Sequence, residues 1–193
     1  MGTDSTTDLV HAAAKGDEDA WNRLVDGHAR LVWAVIHSHR LRPADSGDVF
    51  QTTWLRLVEN LGSLRQPDQL AGWLVTTARR ECLRLQRIRN REFPDPDLLE
   101  RSDETDLAAP SPEASVLADE ERTAVASAFQ KLPHRCQSVL RLVYVDPPPT
   151  YAQIAELLGL AVGSIGITRR RCLDNLHRLL VDDDSTPAAE GRL

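Results

Sequence analysis

Apolar residues in the N-terminal half of this chain recur at steps of three and four, which is the period of one face of an α-helix. The first stripe spans residues 21–35, the second residues 49–61 and the third residues 70–85, with Pro43 and Pro67 in the gaps. A helix that is apolar on one face has to bury that face against another element. The pattern therefore predicts a three-helix bundle. Four tryptophans are expected to close it: Trp21, Trp33, Trp54 and Trp73.

Residues 93–115 interrupt the helical pattern with four prolines, much charge and little periodic hydrophobicity. Such a composition favours an extended or disordered linker over a packed segment. Helical periodicity resumes near Val116, and the last residues are polar. The predicted fold class is all-α, with an N-terminal helical bundle, an acidic linker, a C-terminal four-helix domain and a polar tail. The predicted boundaries are residues 1–91, 92–115, 116–181 and 182–193.

Residues 150–171 carry the sharpest local signal. Thr150 and Gln153 form a capping-box pattern that starts a helix, and Gly159 ends it. Ser164 is expected to cap a second, arginine-rich helix, with Val162 packed beneath it. This pattern is typical of a helix-turn-helix, whose second helix meets base edges. The alternative is an ordinary helical hairpin with a solvated arginine face. The candidate DNA contacts are Ser164, Gly166, Ile167, Thr168, Arg169, Arg170 and Arg171.

The formal net charge of −6 conceals two basic patches separated by an acidic connector. Residues 79–91 hold six arginines against Glu81, whereas residues 93–121 hold ten acidic residues against Arg101. Trp73 heads the first basic helix and is either a stacking platform for an unpaired base or part of the core. The arginines of this helix either bind nucleic acid or form a solvated helix face, and the sequence favours neither. The candidate contacts on this helix are Trp73, Arg79, Arg80, Arg84 and Arg87.

Several function classes are disfavoured. No apolar run approaches the ~20 residues that span a bilayer, and the N-terminus lacks the features of a secretory signal. The cysteines Cys82, Cys136 and Cys172 form no CxxC pair, which argues against a disulfide framework or a zinc site and fits a reducing cytosol. The six histidines show no HxxxH pairing, and no catalytic constellation is visible. We expect a cytoplasmic protein that is not an enzyme and has no metal or cofactor.

Five segments, taken together, resemble the sigma factors of bacterial RNA polymerase. They are GDEDAWNRLVDGH, DSGDVFQTTWLRLVENL, LAGWLVTTARRECLRLQR, LPHRCQSVLRLVY and TYAQIAELLGLAVGSIGITRRRCLDNL. Residues 16–91 resemble the promoter-melting domain of that family, and residues 132–180 resemble its C-terminal helix-turn-helix domain. The segments cover about two-thirds of the chain in the family's order. Since only a short linker separates the two parts, the chain is most similar to the extracytoplasmic-function (ECF) group.

The resemblance implies roles for particular residues. Asp48, Gln51 and Trp54 would bind core RNA polymerase, although Trp54 also lies on the apolar stripe, as does Phe50, so packing is the rival reading for both. The loop over residues 63–70 would form the pocket for the flipped base of the minus-ten element. The helix that follows, over residues 73–87, would hold the melted strand. The second helix of the helix-turn-helix would contact the minus-thirty-five element.

The resemblance also implies partners, namely core RNA polymerase and promoter DNA, with an anti-sigma protein as a further candidate. The chain departs from the family at Arg80 and Arg84, where Asn and Asp are usual. It also departs at Gly166, where a basic residue is usual, so the promoter sequence cannot be carried over. The acidic linker would either enter the RNA channel of the polymerase or act only as a tether. A stand-alone helix-turn-helix regulator is the alternative function, and it leaves the helix that bears Asp48 unexplained.

Overall fold

The computed structural model describes residues 5–92 and 116–184, and every regular element in those two ranges is helical. The predicted all-α fold is confirmed. The predicted acidic linker and polar tail lie outside the described residues, apart from the helical residues at their inner edges. The α-helices of the described ranges are α1 (Thr6–Ala13), α2 (Glu18–His37), α3 (Pro43–Asn60), α4 (Leu70–Glu92), α5 (Val116–Gln130), α6 (His134–Tyr144), α7 (Tyr151–Leu158) and α8 (Ile165–Asp184).

Local signals in the sequence account for several helix ends. The side chain of Asp17 accepts a hydrogen bond from the backbone N–H of Ala20 at 2.9 Å, which caps α2. Pro43 occupies the first turn of α3, where its missing N–H costs nothing. The predicted capping box of Thr150 and Gln153 opens α7. Gly159 ends α7 with φ +61°, a left-handed conformation that suits glycine.

The helices α2, α3 and α4 pack as the predicted bundle, and α1, which the sequence did not reveal, packs on α2. Leu24, Leu31, Leu57 and Leu74 are fully buried between them. Aromatic contacts join three of the four tryptophans, because Trp21 meets Trp54 edge-on and Phe50 lies between Trp54 and Trp33. Trp73 is half-buried elsewhere on α4.

The helices α5, α6 and α8 pack around a smaller cluster of buried residues, Leu132, Leu140 and Cys172. A disulfide joins Cys136 of α6 to Cys172 of α8. The expectation of unpaired cysteines was wrong for this pair, because helix packing brings together two residues that lie 36 apart in the sequence. Cys82 is a free, buried cysteine.

The N-terminal bundle and the helix-turn-helix region share one core. Leu142, Ile154 and Ile165 are buried in the same cluster as the leucines of α2 and α4. At the edge of this contact, the imidazole Nε2–H of His134 donates to the backbone carbonyl of His37 at 3.1 Å. The predicted domain boundaries stay a prediction. In the structure, the described residues of the two regions pack against each other around a shared core.

Within residues 5–92 and 116–184, no single helix is long and apolar enough to cross a membrane. The segments Tyr151–Leu158 and Val162–Val181 meet a length and composition criterion only when taken together, with a 99° bend between them.

Candidate nucleic-acid interface

The outer face of α3 is exposed where the resemblance assigns polymerase binding. Asp48 and Gln51 both lie on the surface, three residues apart on the same helix. Leu55 and Val58 continue this face toward the end of α3 with 61% and 53% of their surface exposed. A polar edge beside exposed aliphatic side chains is typical of a protein–protein interface rather than of a solvated helix face.

Trp54 is the exception among the assigned polymerase contacts, because only 7% of its surface is exposed. Its indole packs edge-on against Trp21 and Phe50, with ring centroids 5.9 Å apart in each pair. The packing reading therefore fits Trp54, which positions α3 from inside the bundle. Phe50 is half-buried and stacks on Trp33 at 4.6 Å, so it also contributes to packing.

A groove of about 600 Å³ lies between the loop that precedes α4 and the exposed side of α4. The loop is built from two short 3₁₀ turns, Leu61–Ser63 and Pro67–Gln69. Trp73 and Arg80 of α4 also line the groove. The loop predicted to hold the flipped base and the helix predicted to hold the melted strand therefore line the same groove. The full lining is Asn60, Ser63, Leu64, Arg65, Gln66, Gln69, Gly72, Trp73, Thr76, Arg80 and Gln153.

The arginines of α4 differ in what they contact. Arg80 and Arg87 are exposed, and no ion pair is recorded for either within the described part of the chain. The Nε of Arg84 lies 2.7 Å from a carboxylate oxygen of Glu81, but more than half of the Arg84 side chain is still exposed. Arg79 is engaged differently, because its Nη1 lies 2.9 Å from a carboxylate oxygen of Glu156 on α7. Three of the four predicted arginines are thus available on the surface.

In the helix-turn-helix, α8 begins at Ile165, whose side chain is fully buried. Ser164 directly precedes α8, as predicted, and its hydroxyl donates to the carbonyl of Ala161 at 2.7 Å within a 3₁₀ turn. The predicted packing of Val162 was wrong, since 51% of that residue is exposed. Ile165 occupies the place beneath the helix that the sequence gave to Val162.

The predicted DNA-contacting residues share the first turns of α8. Gly166, Ile167, Arg170 and Arg171 are exposed, whereas Ser164, Thr168 and Arg169 are half-buried. The Nε of Arg169 is buried and has no hydrogen-bond partner among the described residues. Arg170 and Arg171 are therefore the more accessible cations on this helix.

The helix α7 borders the groove, a feature that the sequence did not reveal. Gln153 of α7 is part of the lining of the groove. A Cβ added to Gly72 would lie 2.9 Å from Nε2 of Gln153, so the absence of a side chain at residue 72 permits this close approach. Together with the ion pair of Arg79 and Glu156, these contacts set the helix-turn-helix against the face predicted to bind the melted strand.

Histidines at the end of α2 border the same contact. Burial lowers the pKa of His37 from its ordinary value of 6.5 to about 4, and the nearby charges of Arg141 and His134 act in the same direction. Burial, with a smaller effect of Arg79, also lowers the pKa of His39 to about 4. Both imidazoles are thus held neutral at pH 7. Burial likewise lowers the pKa of Arg141, whose guanidinium lies over the ring of Phe129.

Among the described residues, no group of three or more His, Cys, Asp or Glu side chains is arranged to hold a metal ion.

A family model for sigma-70 region 2 matches residues 24–92, which contain most of α2 and the whole of α3 and α4. Over 184 residues the chain is 29% identical to the ECF RNA polymerase sigma factor BldN of Streptomyces coelicolor, and over 181 residues it is 25% identical to the ECF RNA polymerase sigma factor SigW of Bacillus subtilis. The chain carries sigma-70 region 2 and is similar to ECF sigma factors over about 90% of its length. The expectation that it is not an enzyme is confirmed by this similarity.

The coverage of these ECF relatives differs. The alignment with BldN includes 91% of this chain and 66% of BldN, and that with SigW includes 90% of this chain and 95% of SigW. A probable RNA polymerase sigma factor, RfaY of Xanthomonas campestris pv. campestris, is 31% identical over 163 residues, which are 82% of this chain and 39% of RfaY. The chain thus spans less than two-thirds of the length of BldN and of RfaY.

Two solved structures share the fold. CnrH, in complex with the cytosolic domain of CnrY, matches with a TM-score of 0.50 and 23% identity, over 94% of this chain and 100% of that one. The sigma factor RpoE, in complex with the anti-sigma factor NepR from Bartonella quintana, matches with a TM-score of 0.55 and 22% identity, over 84% of this chain and 98% of that one. At these identities the likeness shows the fold alone.

Proposed function

We propose that this chain is an ECF sigma factor that binds core RNA polymerase, directs it to promoters and takes part in opening the DNA strands for transcription initiation. One observation carries the proposal. The region matched by the sigma-70 region 2 model, residues 24–92, bears both an exposed face on α3 and an arginine-lined groove on α4. Neither surface is needed by a regulator that only reads duplex DNA through its helix-turn-helix.

Core binding is assigned to Asp48 and Gln51. Their exposure supports a direct contact, and the exposed Leu55 and Val58 extend the same face. Trp54 contributes by holding α3 in the bundle. Burial of aliphatic side chains next to a few directed hydrogen bonds is how most stable protein interfaces are built.

The groove beside Trp73 is assigned to an unpaired base of the minus-ten element. It offers an aromatic face for stacking and polar side chains that can bond a base edge. Arg80, Arg84 and Arg87 follow along the exposed side of α4, where they would meet the phosphates of the melted strand. Arg79 would join them once its contact with Glu156 is released.

The first turns of α8 are assigned to the minus-thirty-five element. Arg170 and Arg171 are placed to contact phosphates or guanines, and the exposed Ile167 offers an apolar contact to a thymine methyl group. Gly166, exposed and without a side chain, allows the backbone of α8 to approach the groove of the DNA closely.

The contact between α7 and α4 makes the described structure a closed form of the protein. Gln153 lines the groove, and Glu156 neutralises Arg79, so the strand-binding face is partly covered. We infer that α7 leaves this face when the factor binds core polymerase, and that the free protein binds promoter DNA weakly. An anti-sigma protein is a further proposed partner, and the proposed site of action is the cytoplasm.

Co-purification with core polymerase tests the proposal. Tagged full-length protein mixed with bacterial core enzyme should elute with it as a 1:1 complex that then binds promoter DNA. A stand-alone regulator would elute alone, with or without DNA, and that result would reject the proposed function.

A further inference from the structure

Cys136 and Cys172 are bonded to each other across the C-terminal region, although they lie 36 residues apart in the sequence. Their Cα atoms are 5.2 Å apart, a separation that a disulfide spans without backbone movement. Cys172 is only 1% exposed, whereas Cys136 is half-buried in the first turn of α6. Cys136 is therefore the more accessible cysteine of the pair, and Cys172 lies buried beside it.

This disulfide links α6 to α8, the helix that carries the proposed minus-thirty-five contacts. Cys172 directly follows Arg171 on α8, and Cys136 anchors it to α6. Among the described residues, Leu132, Leu140 and Cys172 are the buried members of the cluster at this place, and the side chains packed around them are only half-buried, so the core that holds this part of α8 is small. A cross-link that closes a long loop around a small core strongly affects the order of that core.

We propose that Cys136 and Cys172 form a reversible oxidation site, whose oxidant is a hydroperoxide and whose disulfide form strengthens the binding of α8 to promoter DNA. The DNA-binding part rests on the proposed function, whereas the oxidation chemistry does not. Transcription takes place in a compartment that keeps thiols reduced, where disulfides are usually transient and redox-sensing. The described structure corresponds to the oxidised form of the site.

The chemistry requires two steps. The thiolate of Cys136 attacks one oxygen of the hydroperoxide, the O–O bond breaks, and a sulfenic acid forms while hydroxide or an alkoxide leaves. The thiolate of Cys172 then attacks the sulfenic sulfur, the S–S bond forms and hydroxide leaves. Two electrons pass from the cysteines to the peroxide, and the two thiol protons end on the leaving oxygens. A cellular dithiol reverses the reaction by thiol–disulfide exchange.

Cys82 provides an internal control. It lies on α4 with no exposed surface, and burial raises the pKa of its thiol to about 12. It should therefore remain a thiol under conditions that oxidise the pair.

Peptide mapping of the full-length protein tests the site itself. Reduced protein is treated with hydrogen peroxide, alkylated and digested without reductant. The expected product is a peptide pair linked through Cys136 and Cys172, with Cys82 alkylated, and dithiothreitol should restore all three thiols. Cys136→Ser should give no cross-link and leave Cys172 free. A pair that stays reduced in peroxide, or a disulfide that a dithiol cannot open, would overturn the proposal.

The consequence is measured by comparing the two redox states of the wild-type protein, with Cys136→Ser as the control. Oxidised protein should have a midpoint of thermal unfolding higher by roughly 10 °C than reduced protein. In complex with core polymerase, it should bind a promoter fragment several-fold more tightly, and Cys136→Ser should not respond to peroxide. Equal affinities in the two redox states would overturn the effect on DNA binding. If neither state binds promoter DNA but the disulfide forms and opens, the oxidation site is supported and the proposed function fails.

Discussion

At the scale of single residues, the side chains assigned to core binding and to strand opening lie on the surface of the protein, so each can be removed without disturbing the core. Asp48 and Gln51 on α3 are exposed, as are Arg80 and Arg84 on α4. Exposed substitutions of this kind usually change stability by less than about 0.5 kcal/mol. Loss of function after their removal would therefore report a lost contact rather than a lost fold.

Asp48→Ala combined with Gln51→Ala should weaken the binding of core polymerase by about tenfold or more, because two directed contacts at an interface are lost. Fluorescence anisotropy of labelled protein titrated with core enzyme measures this affinity. The matched control is Asn22→Ala with Asp26→Ala, two exposed residues on one face of α2. If the two double variants bind core equally well, the α3 assignment is wrong.

Arg80→Ala combined with Arg84→Ala should impair strand opening while leaving core binding nearly unchanged. A melted strand presents phosphates and unstacked bases, both of which suit arginine. Permanganate footprinting of unpaired thymines on a cognate promoter measures the opening. Arg30→Ala with Arg122→Ala removes the same charge from exposed places on α2 and α5 and should open DNA normally. If the Arg80→Ala and Arg84→Ala variant opens DNA as well as the wild-type protein, these arginines only form a solvated helix face.

At the scale of elements, the sequence correctly predicted the features that depend only on residues close together in the chain, such as helical stripes and helix caps. The apolar stripes of α2, α3 and α4 were correct because helical period is local, and the capping box of Thr150 was correct for the same reason. The predicted burial of Val162 was wrong because a short 3₁₀ turn precedes α8, so that Ile165 is the residue buried beneath the helix. The pairing of Cys136 with Cys172 depends on how α6 packs on α8, which no local pattern states.

The packing of α6 against the end of α2 should weaken in acid. Burial lowers the pKa of both His37 and His39 to about 4, so the folded state resists their protonation. The stability that depends on these neutral imidazoles is complete above pH ~6.5 and declines as the pH falls from there toward 4, because the unfolded chain binds the protons more readily. The urea midpoint should therefore be lower at pH 5 than at pH 7.

His37→Gln combined with His39→Gln should flatten this dependence. The pH dependence of the urea midpoint that remains in this variant would come from His28, whose pKa is also lowered by burial. His11→Gln is the matched control, since His11 is exposed, and it should keep the slope of the wild-type protein. A slope that is the same in all three proteins would exclude the α2 histidines as its cause.

At the scale of the whole molecule, the contact between the two sequence regions could not be foreseen. Gln153 and Glu156 looked like ordinary polar positions of α7 in the sequence, and only the packed structure sets them against Gly72 and Arg79. The two basic patches were read from the sequence as independent surfaces. In the described structure, the helix-turn-helix covers part of one of them.

Glu156→Ala should increase the affinity of the free protein for a single-stranded minus-ten oligonucleotide by ~2–5-fold, the range expected for loss of one exposed ion pair. Arg79 would then be free to contact the strand. Asp174→Ala removes an equal charge from an exposed place on α8 and should have little effect. If the two variants bind the oligonucleotide alike, the ion pair of Arg79 and Glu156 does not restrain the strand-binding face.

The account depends most on the claim that this chain directs promoter-specific initiation. Run-off transcription measures it, with purified core polymerase, genomic fragments from the source bacterium and sequencing of the 5′ ends of the transcripts. We predict discrete start sites that appear only when the protein is added, with a shared motif near minus ten and another near minus thirty-five. Transcripts that start at the same positions with core enzyme alone, or no transcripts beyond that background, would contradict the account.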